Sequence, residues 1–129
     1  MTDHDDFLAW VRTTLCEAEV ALHNGDAAPR RALWSHTEPV SVLGAWRGAV
    51  GRDALDSLFT DLAQGFSDCT SFEYELQAYD VSGDMAYTVG LEHTSASVEG
   101  QPRTYTLRAP RSTAGRTARG RWHTATRTP

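Results

Sequence analysis

The sequence predicts an α+β fold in which one curved antiparallel sheet wraps around about three helices. In the first half of the chain, apolar side chains recur every three or four positions, which is typical of amphipathic helices. From residue 72 onward, apolar and polar side chains alternate over long stretches, as they do in half-buried strands. Helices followed by a meander of strands favour a sheet with a helical layer on one face.

Three helices are expected before the long strands. The first is capped by Asp5 or Asp6 and ends at Leu22, just before an Asn-Gly pair that favours a left-handed stop. The second is short, lies within residues 26–34 and has a proline near its first turn. The third spans about residues 52–66 and carries leucines and a phenylalanine along one stripe.

The strands are expected in three places. A first strand covers residues 40–46, and a half-buried strand covers residues 72–78. Residues 80–108 then form an antiparallel hairpin with a turn at residues 98–102. One face of the hairpin's first strand is small and polar, and we predict that it forms a pocket wall or a subunit interface. That face contains Ala86, Thr88, Gly90, Glu92 and Thr94, and the opposite face contains Met85, Tyr87, Val89 and Leu91.

The composition is that of one globular domain. A chain of 129 residues, 40% hydrophobic and 22% charged, can bury a core without disulfides or metals. Cys16 and Cys69 lie far apart in the sequence and are expected to be free, buried thiols. The N-terminus is acidic and no apolar run approaches the length of a membrane span, so we expect a cytoplasmic protein without a membrane partner.

Several strings of residues, taken in order, resemble one superfamily. Over about residues 7–108 the chain resembles the nuclear transport factor 2-like (NTF2-like) superfamily, and within it the SnoaL-like or ketosteroid-isomerase-like small bacterial proteins. The resemblance implies a cone-shaped, cystatin-like roll, a ligand cavity between sheet and helices, and a homodimer. The strings are Asn24-Gly25-Asp26, Ala32-Leu33-Trp34-Ser35, Val42-Leu43-Gly44-Ala45-Trp46, Val81-Ser82-Gly83-Asp84-Met85-Ala86-Tyr87-Thr88-Val89-Gly90 and Tyr105-Thr106-Leu107-Arg108.

The end of the chain differs from the rest in charge and in apolar content. All 17 acidic residues precede position 108, whereas half of the 12 basic residues, all arginines, lie from there to the end. A disordered basic tail and a nucleic-acid-binding arm would both fit this charge, but we favour neither and expect no nucleic-acid partner. Residues 109–129 contain no Val, Ile, Leu, Phe or Met, so they lack the apolar face that the family's closing strands need. Pro110 should also stop the preceding strand.

We therefore divide the chain into a SnoaL-like α+β domain, residues 1–108, and an atypical arginine-rich tail, residues 109–129, that is irregular or encoded in a shifted reading frame. Synonymous codons for residues 110–129, read from their third base, can encode Thr-Phe-Tyr-Arg-Arg-Glu-Asp-Gly-Thr-Trp-Thr-Val-Ala-His-Arg-His-Ala-Asp-Pro. That alternative amino-acid sequence has the pattern of a strand, an Asp-Gly turn and a second strand. Sequencing the source gene across codons 108–112 tests the hypothesis.

The resemblance places the functional site in the cone between the sheet and the helices. Glu92 is the candidate catalytic residue, a buried carboxylate for proton transfer; the alternative is that it faces solvent or pairs with Arg108 as structure. His93 has the opposite parity on the strand and is expected to be a surface or core residue. The candidate ligand-binding residues are Trp34, His36, Trp46, Phe59, Tyr105 and Arg108, with a core role as the alternative for the aromatic residues and a loop role for His36.

Three functional interpretations remain open from the sequence. The chain is a small-molecule enzyme of the isomerase, cyclase or dehydratase type, or a non-catalytic dimeric domain that binds a hydrophobic small molecule, or the inactive product of a frameshifted gene. The aspartate, tyrosine and second acid of the isomerase relatives cannot be placed here residue by residue. The sequence contains no phosphate loop, dinucleotide-binding glycine pattern or His-Glu-x-x-His motif, so no cofactor or metal is expected.

Overall fold

The computed structural model describes residues 3–34, 40–43, 48–83, 85–114 and 123–127. Its helices are α1 (Asp3–Trp10), α2 (Cys16–Leu22), α3 (Ala28–Leu33) and α4 (Arg52–Gly65), and a π-helical turn at Val11–Leu15 joins α1 to α2. Its strands are β1 (Ser41–Leu43), β2 (Gly48–Val50), β3 (Phe66–Ser82), β4 (Met85–Val98), β5 (Gln101–Arg108), β6 (Arg111–Ala114) and β7 (His123–Arg127). The predicted α+β class is confirmed, with a curved, mainly antiparallel sheet and helices against it.

The helices follow the apolar spacing of the sequence. The first predicted helix is present from α1 to α2, although its π-helical turn was not predicted. Asp26 supports the start of α3, because its Oδ1 accepts the N–H of Ala28 at 3.0 Å. Helix α4 begins after Gly51, which has φ of 91°, and buries the predicted stripe of Leu55, Leu58 and Phe59.

Strand β3 is much longer than the predicted strand over residues 72–78. It begins at Phe66, directly after α4, and runs antiparallel to β4 with register shifts at residues 67–71 and 76–78. Such bulges bend a strand and increase its twist, which helps a long sheet to curve around helices. Polar residues before position 72 hid this extension, because they do not alternate with apolar ones.

The two faces of β4 are those predicted from its alternation. Ala86, Thr88, Glu92 and Thr94 are buried on the inner face, towards the helices, whereas Met85 on the outer face is 59% exposed. The hairpin from β4 to β5 turns at residues 99 and 100, both of which have positive φ.

The structure corrects the expectation that residues 109–129 form an irregular tail. The sheet order is β2-β1-β7-β6-β4-β3, with β5 also paired to β4, so β6 and β7 are strands and not an irregular tail. Pro110 does lie in the break between β5 and β6, as predicted. Strand β6 faces inward through Arg111 and Thr113, which are 3% and 1% exposed, so a charge-paired arginine and a threonine replace the apolar residues that we considered necessary.

Two apolar clusters lie between the helices and the sheet. The larger cluster includes Leu22, Trp34, Val42, Leu55 and Phe59, and the smaller one is formed by Phe7, Val11, Leu15, Val81 and Ala86. Within the described ranges, no helix has the length and apolar content needed to cross a membrane.

Candidate functional site

Glu92 lies at the centre of the inner sheet face and is 3% exposed. Strand β4 holds it opposite Tyr74 of β3 and Leu107 of β5, so its position is fixed on both sides by backbone ladders. Its Oε2 accepts a hydrogen bond from Nη2 of Arg111 at 2.7 Å. Its partner is therefore the buried Arg111 of β6 and not Arg108, which was the alternative considered from the sequence.

Arg111 is the centre of a buried cluster of alternating charges. The same Nη2 donates to Oε1 of Glu19 at 3.0 Å, and Nε of Arg30 lies 3.5 Å from that Glu19 oxygen. The charges of two carboxylates and two guanidinium groups thus balance one another at a buried position, where bulk water does not solvate them. We define the charged cluster as Glu19, Arg30, Glu92 and Arg111; it joins α2, α3, β4 and β6.

Aromatic rings support one end of the charged cluster. The guanidinium carbon of Arg30 lies 5.2 Å from the ring centre of Trp34 and 5.1 Å from that of Phe59. The two rings meet edge to face at 5.4 Å, and both side chains are fully buried. These contacts give Trp34 and Phe59 a core role and a cation–π role next to the candidate site.

Two hydroxyl groups on the inner face, those of Tyr74 and Thr88, lie close enough to interact with each other. Tyr74 Oη and Thr88 Oγ1 are buried, and within the described part of the chain neither makes a hydrogen bond of good geometry. Arg111 is the cross-strand neighbour of Thr88, and its Nε is also buried without a hydrogen bond of good geometry in the described part of the chain. Burial raises the pKa of Tyr74, so this phenol stays protonated and remains a donor at neutral pH. Buried polar atoms of this kind are candidates for contacts to a ligand or a water molecule.

Gly90 allows the Tyr74 ring to lie against the sheet. A Cβ atom at position 90 would be 2.6 Å from the carbonyl oxygen of Glu75 and 2.7 Å from Cε1 and Cζ of Tyr74. Because Gly90 has no side chain, the Tyr74 ring can occupy the space between Thr88 and Glu92 on the inner face.

Gly90→Ala should lower the free energy of unfolding by about 1–3 kcal/mol, because the backbone of β3 cannot move away from the new methyl group. Urea unfolding followed by circular dichroism measures the change. Gly65→Ala is the matched control, since its Cβ would meet only the flexible Glu99 side chain at 3.8 Å, and it should cause no loss. Equal losses in the two variants would contradict the close approach at Gly90.

The other candidate residues do not all meet at Glu92. Tyr105 is half-buried on the inner side of β5, and its hydroxyl bonds to His23. Arg108 is exposed on the outer side and donates to Oε1 of Gln77 at 3.3 Å, so the structure does not bring it to the inner face. His36 and Trp46 lie outside the described residues.

His23 is a buried polar residue that we did not select from the sequence. Its Nδ1 lies 2.7 Å from the carbonyl oxygen of Glu19, which can only accept, so Nδ1 donates. In the neutral ring, Nε2 then accepts from the Tyr105 hydroxyl at 2.9 Å. The available signal was its spacing: His23 follows Glu19 by one helical turn, on the side of the helix that faces the sheet.

His93 lies on the outer side of the sheet, as predicted from its parity. It bonds to Oγ1 of Thr106 at 2.9 Å and to Oε1 of Glu75 at 3.2 Å. Among the described residues, no three His, Cys, Asp or Glu side chains come together as potential metal ligands. Both cysteines are free thiols, as expected, although each is half-buried.

The thiol of Cys16 and the phenol of Tyr74 should make the fold sensitive to alkaline pH. Burial raises the pKa of both groups above their ordinary values. Each therefore keeps its proton in the folded state where the unfolded chain would lose it. The contribution of Cys16 is fully present below about pH 8.5 and that of Tyr74 below about pH 10, and each is lost as pH rises through the folded-state value of that group.

Urea unfolding from about pH 7 to about pH 11 measures this effect. Cys16→Ala should flatten the decline in stability above about pH 8.5, and Tyr74→Phe should flatten it above about pH 10. Leu15→Ala is the control, because it removes buried apolar volume without a titrating group and should lower stability equally at every pH. Wild-type slopes in both test variants would contradict the prediction.

Comparisons with known proteins agree on the fold. A ketosteroid isomerase-like protein from Erwinia carotovora atroseptica superposes with a TM-score of 0.68 at 18% identity, covering 94% of this chain and 92% of that one. A protein named as a candidate dehydratase of the NTF2-like family from Streptomyces avermitilis gives 0.71 at 17% identity, over 98% and 96%. An NTF2-like superfamily protein from Salmonella enterica gives 0.72 at 15% identity, over 94% and 90%. No protein-family model and no curated protein matches the sequence.

Proposed function

We propose that this chain, whose fold is that of the NTF2-like superfamily, binds a hydrophobic small molecule against the inner sheet face and moves a proton with Glu92. The ligand would carry a carbonyl oxygen. The observation that carries the proposal is the group of buried polar atoms without good hydrogen bonds, Tyr74 Oη, Thr88 Oγ1 and Arg111 Nε, on the face that holds Glu92. A ligand oxygen would satisfy them.

The proposed chemistry is isomerisation through an enolate. The Glu92 carboxylate takes a proton from the carbon next to the carbonyl; the electron pair of that C–H bond forms a C=C bond, and the C=O π pair moves onto the oxygen. The hydroxyls of Tyr74 and Thr88 donate to the oxygen as its negative charge develops. If the ligand has a C=C bond adjacent to that carbon, the enolate is a conjugated dienolate, and Glu92 returns the proton to its far carbon while the C=O bond re-forms. The double bond moves, and the reaction needs neither an oxidant nor a cofactor. Elimination of water from a hydroxyketone could use the same first step.

A second candidate function is binding without catalysis. Arg111 holds the Glu92 carboxylate at 2.7 Å, and a carboxylate engaged by a guanidinium is a weaker base towards carbon. In this case the charged cluster fixes the inner face, and only the hydroxyls contact the ligand. The outer face of β4, with Met85 and Tyr87 exposed at 59% and 47%, would then contact a second copy of the chain.

A ketone in deuterated buffer separates the two candidates. We would titrate the protein with β-tetralone, follow binding by tryptophan fluorescence, and follow deuterium entry at the carbon next to the carbonyl by NMR. Wild-type protein should bind and accelerate exchange. Glu92→Gln should still bind, with exchange reduced by about 10²–10⁴-fold, whereas Tyr74→Phe should weaken both binding and exchange.

Glu75→Gln is the matched control, because Glu75 is an exposed carboxylate on the outer face of the neighbouring strand. It should leave binding and exchange unchanged. Binding without exchange in the wild-type protein would favour the second candidate. No binding of β-tetralone or of related hydrophobic ketones would contradict both.

The dimer is tested separately by sedimentation velocity. If the outer face is the contact, Tyr87→Arg should shift a wild-type dimer to monomer, because it places a charge in an apolar patch. A wild-type monomer at all concentrations would contradict the dimer.

A further inference from the structure

Glu19 of α2 is a second buried carboxylate beside the proposed base, Glu92. It is 2% exposed, and its Oε1 accepts a hydrogen bond from Nη2 of Arg111 at 3.0 Å. The same nitrogen donates to Oε2 of Glu92 at 2.7 Å. Because each terminal nitrogen of a guanidinium carries two N–H groups, one nitrogen can hold both carboxylates, and it holds them close together.

The surroundings of Glu19 fix its position. His23 follows it by one helical turn, and both Nδ1 and the backbone N–H of His23 donate to the Glu19 carbonyl oxygen, at 2.7 and 3.1 Å. Nε of Arg30 in α3 lies 3.5 Å from Oε1 of Glu19. The Glu19 side chain therefore cannot rotate away without breaking its contacts to two buried guanidinium groups.

The shared guanidinium matters because Glu92 changes charge during the proposed reaction. Glu92 is a carboxylate before it takes the ligand proton and a neutral acid afterwards. In the neutral state it no longer balances the charge of Arg111, which is 3% exposed, and a buried charge without a counter-ion is strongly disfavoured. The Glu19 carboxylate, which is bonded to the same nitrogen, can serve as that counter-ion.

We propose that Glu19 is a positioning residue for the reaction: it holds Arg111 and provides the negative charge that lets Glu92 accept a proton. The inference rests on the proposed function, because it concerns the strength of Glu92 as a base. A neighbouring negative charge favours the protonated form of a carboxyl group, and a neighbouring positive charge favours the ionised form. Glu19 and Arg30 therefore act on Glu92 in opposite directions.

Two other titratable groups near Glu92 are neutral in the pH range of the test. Tyr74 is its cross-strand neighbour on β3, and the thiol of Cys16, at the start of α2, interacts with it electrostatically. Burial raises the pKa of both groups, so both keep their protons below about pH 8.5. Substitutions of Glu19 and Arg30 can thus change the charge around Glu92 without a contribution from these two groups.

The pH profile of deuterium exchange tests the role of Glu19 in the full chain. With β-tetralone as the probe and the protein-free rate subtracted, the pH of half-maximal exchange is compared between variants. Glu19→Gln should lower this pH by about one unit and reduce the maximal rate about three- to tenfold. Arg30→Met should raise it by a similar amount, because it removes a positive charge beside Glu19. A purely structural role would reduce the rate at every pH without moving the profile.

The double variant Glu19→Gln/Arg30→Met removes one charge of each sign and should return the half-maximal pH to near the wild-type value. Its comparison with Arg30→Met measures the effect of Glu19 even if Glu19→Gln alone does not fold. Glu17→Gln is the matched control, since it makes the same change at an exposed position of α2 and should leave the profile unchanged.

The outcomes separate this inference from the proposed function. If the wild-type protein exchanges and removing the Glu19 charge does not move the profile, the inference is wrong and the proposed function stands. Shifts of Glu19→Gln and Arg30→Met in the same direction would have the same meaning. A wild-type protein that does not accelerate exchange would overturn both.

Discussion

Arg111→Met will lower the free energy of unfolding by about 3–5 kcal/mol. The substitution removes the guanidinium group that hydrogen-bonds to both Glu19 and Glu92, and it leaves two carboxylates that are 2% and 3% exposed. Both carboxylates are buried, and Nε of Arg30 lies 3.5 Å from Glu19, a longer contact than those of Arg111. Urea unfolding at neutral pH measures the loss.

Arg108→Met is the matched control for this experiment. Arg108 belongs to the neighbouring strand and is exposed, with one hydrogen bond to Gln77, so its replacement should change stability by less than about 0.5 kcal/mol. The triple variant Glu19→Gln/Glu92→Gln/Arg111→Met removes the buried charges together and should recover part of the loss. If Arg111→Met and Arg108→Met have equal effects, the charged cluster does not stabilise the fold.

Phe59→Ala will lower the free energy of unfolding by about 3–5 kcal/mol. Phe59 is completely buried, meets the edge of Trp34 at 5.4 Å and lies under the Arg30 guanidinium. The substitution therefore opens a cavity in the larger apolar cluster and removes a cation–π contact to a buried charge. Thermal and urea unfolding provide the measurement.

Two further variants keep this prediction testable if Phe59→Ala does not fold. Phe59→Leu retains much of the apolar volume and should lose about 1–2 kcal/mol. Val50→Thr, at a strand position that is 73% exposed, should be nearly neutral. A Phe59→Leu protein as stable as wild type would show that this part of the core tolerates repacking.

Alternation and helical spacing predict a large part of the fold. The inner and outer faces of β4 follow from the parity of its residues, and the stripe on α4 follows from its leucines. The length of β3 could not be read in the same way, because its bulges interrupt the alternation. The π-helical turn has no sequence signal comparable to a cap or a proline.

The sequence predicted on which face of the sheet the candidate site lies, but not which residues contact one another there. Parity placed Glu92 on the inner side of the sheet, but its partners depend on which strands and helices meet there. Glu19 and Arg111 are 92 positions apart in the sequence, and local pattern contains no information about such a contact. His23 and Tyr74 were missed for the same reason, because a helical histidine and an alternating tyrosine have ordinary surface and core roles.

The tail shows how composition can mislead. Residues 109–129 contain no Val, Ile, Leu, Phe or Met and so gave no sign of strands. Strands β6 and β7 nevertheless pair through backbone hydrogen bonds, which every residue other than proline can both donate and accept. The reading-frame hypothesis concerns the gene and remains a prediction. If the gene encodes the shifted text, the natural protein lacks Arg111, and Glu92 has a different neighbour from the one described.

The position of β7 has a consequence for biosynthesis. This strand pairs in parallel with β1 and lies between β1 and β6. Until β7 has been synthesised, none of the other described strands connects the β1–β2 pair to the long β3–β4 hairpin, and the described sheet consists of two separate pieces. Strand β7 joins them when it leaves the exit tunnel, so native topology is reached only after translation has passed residue 127.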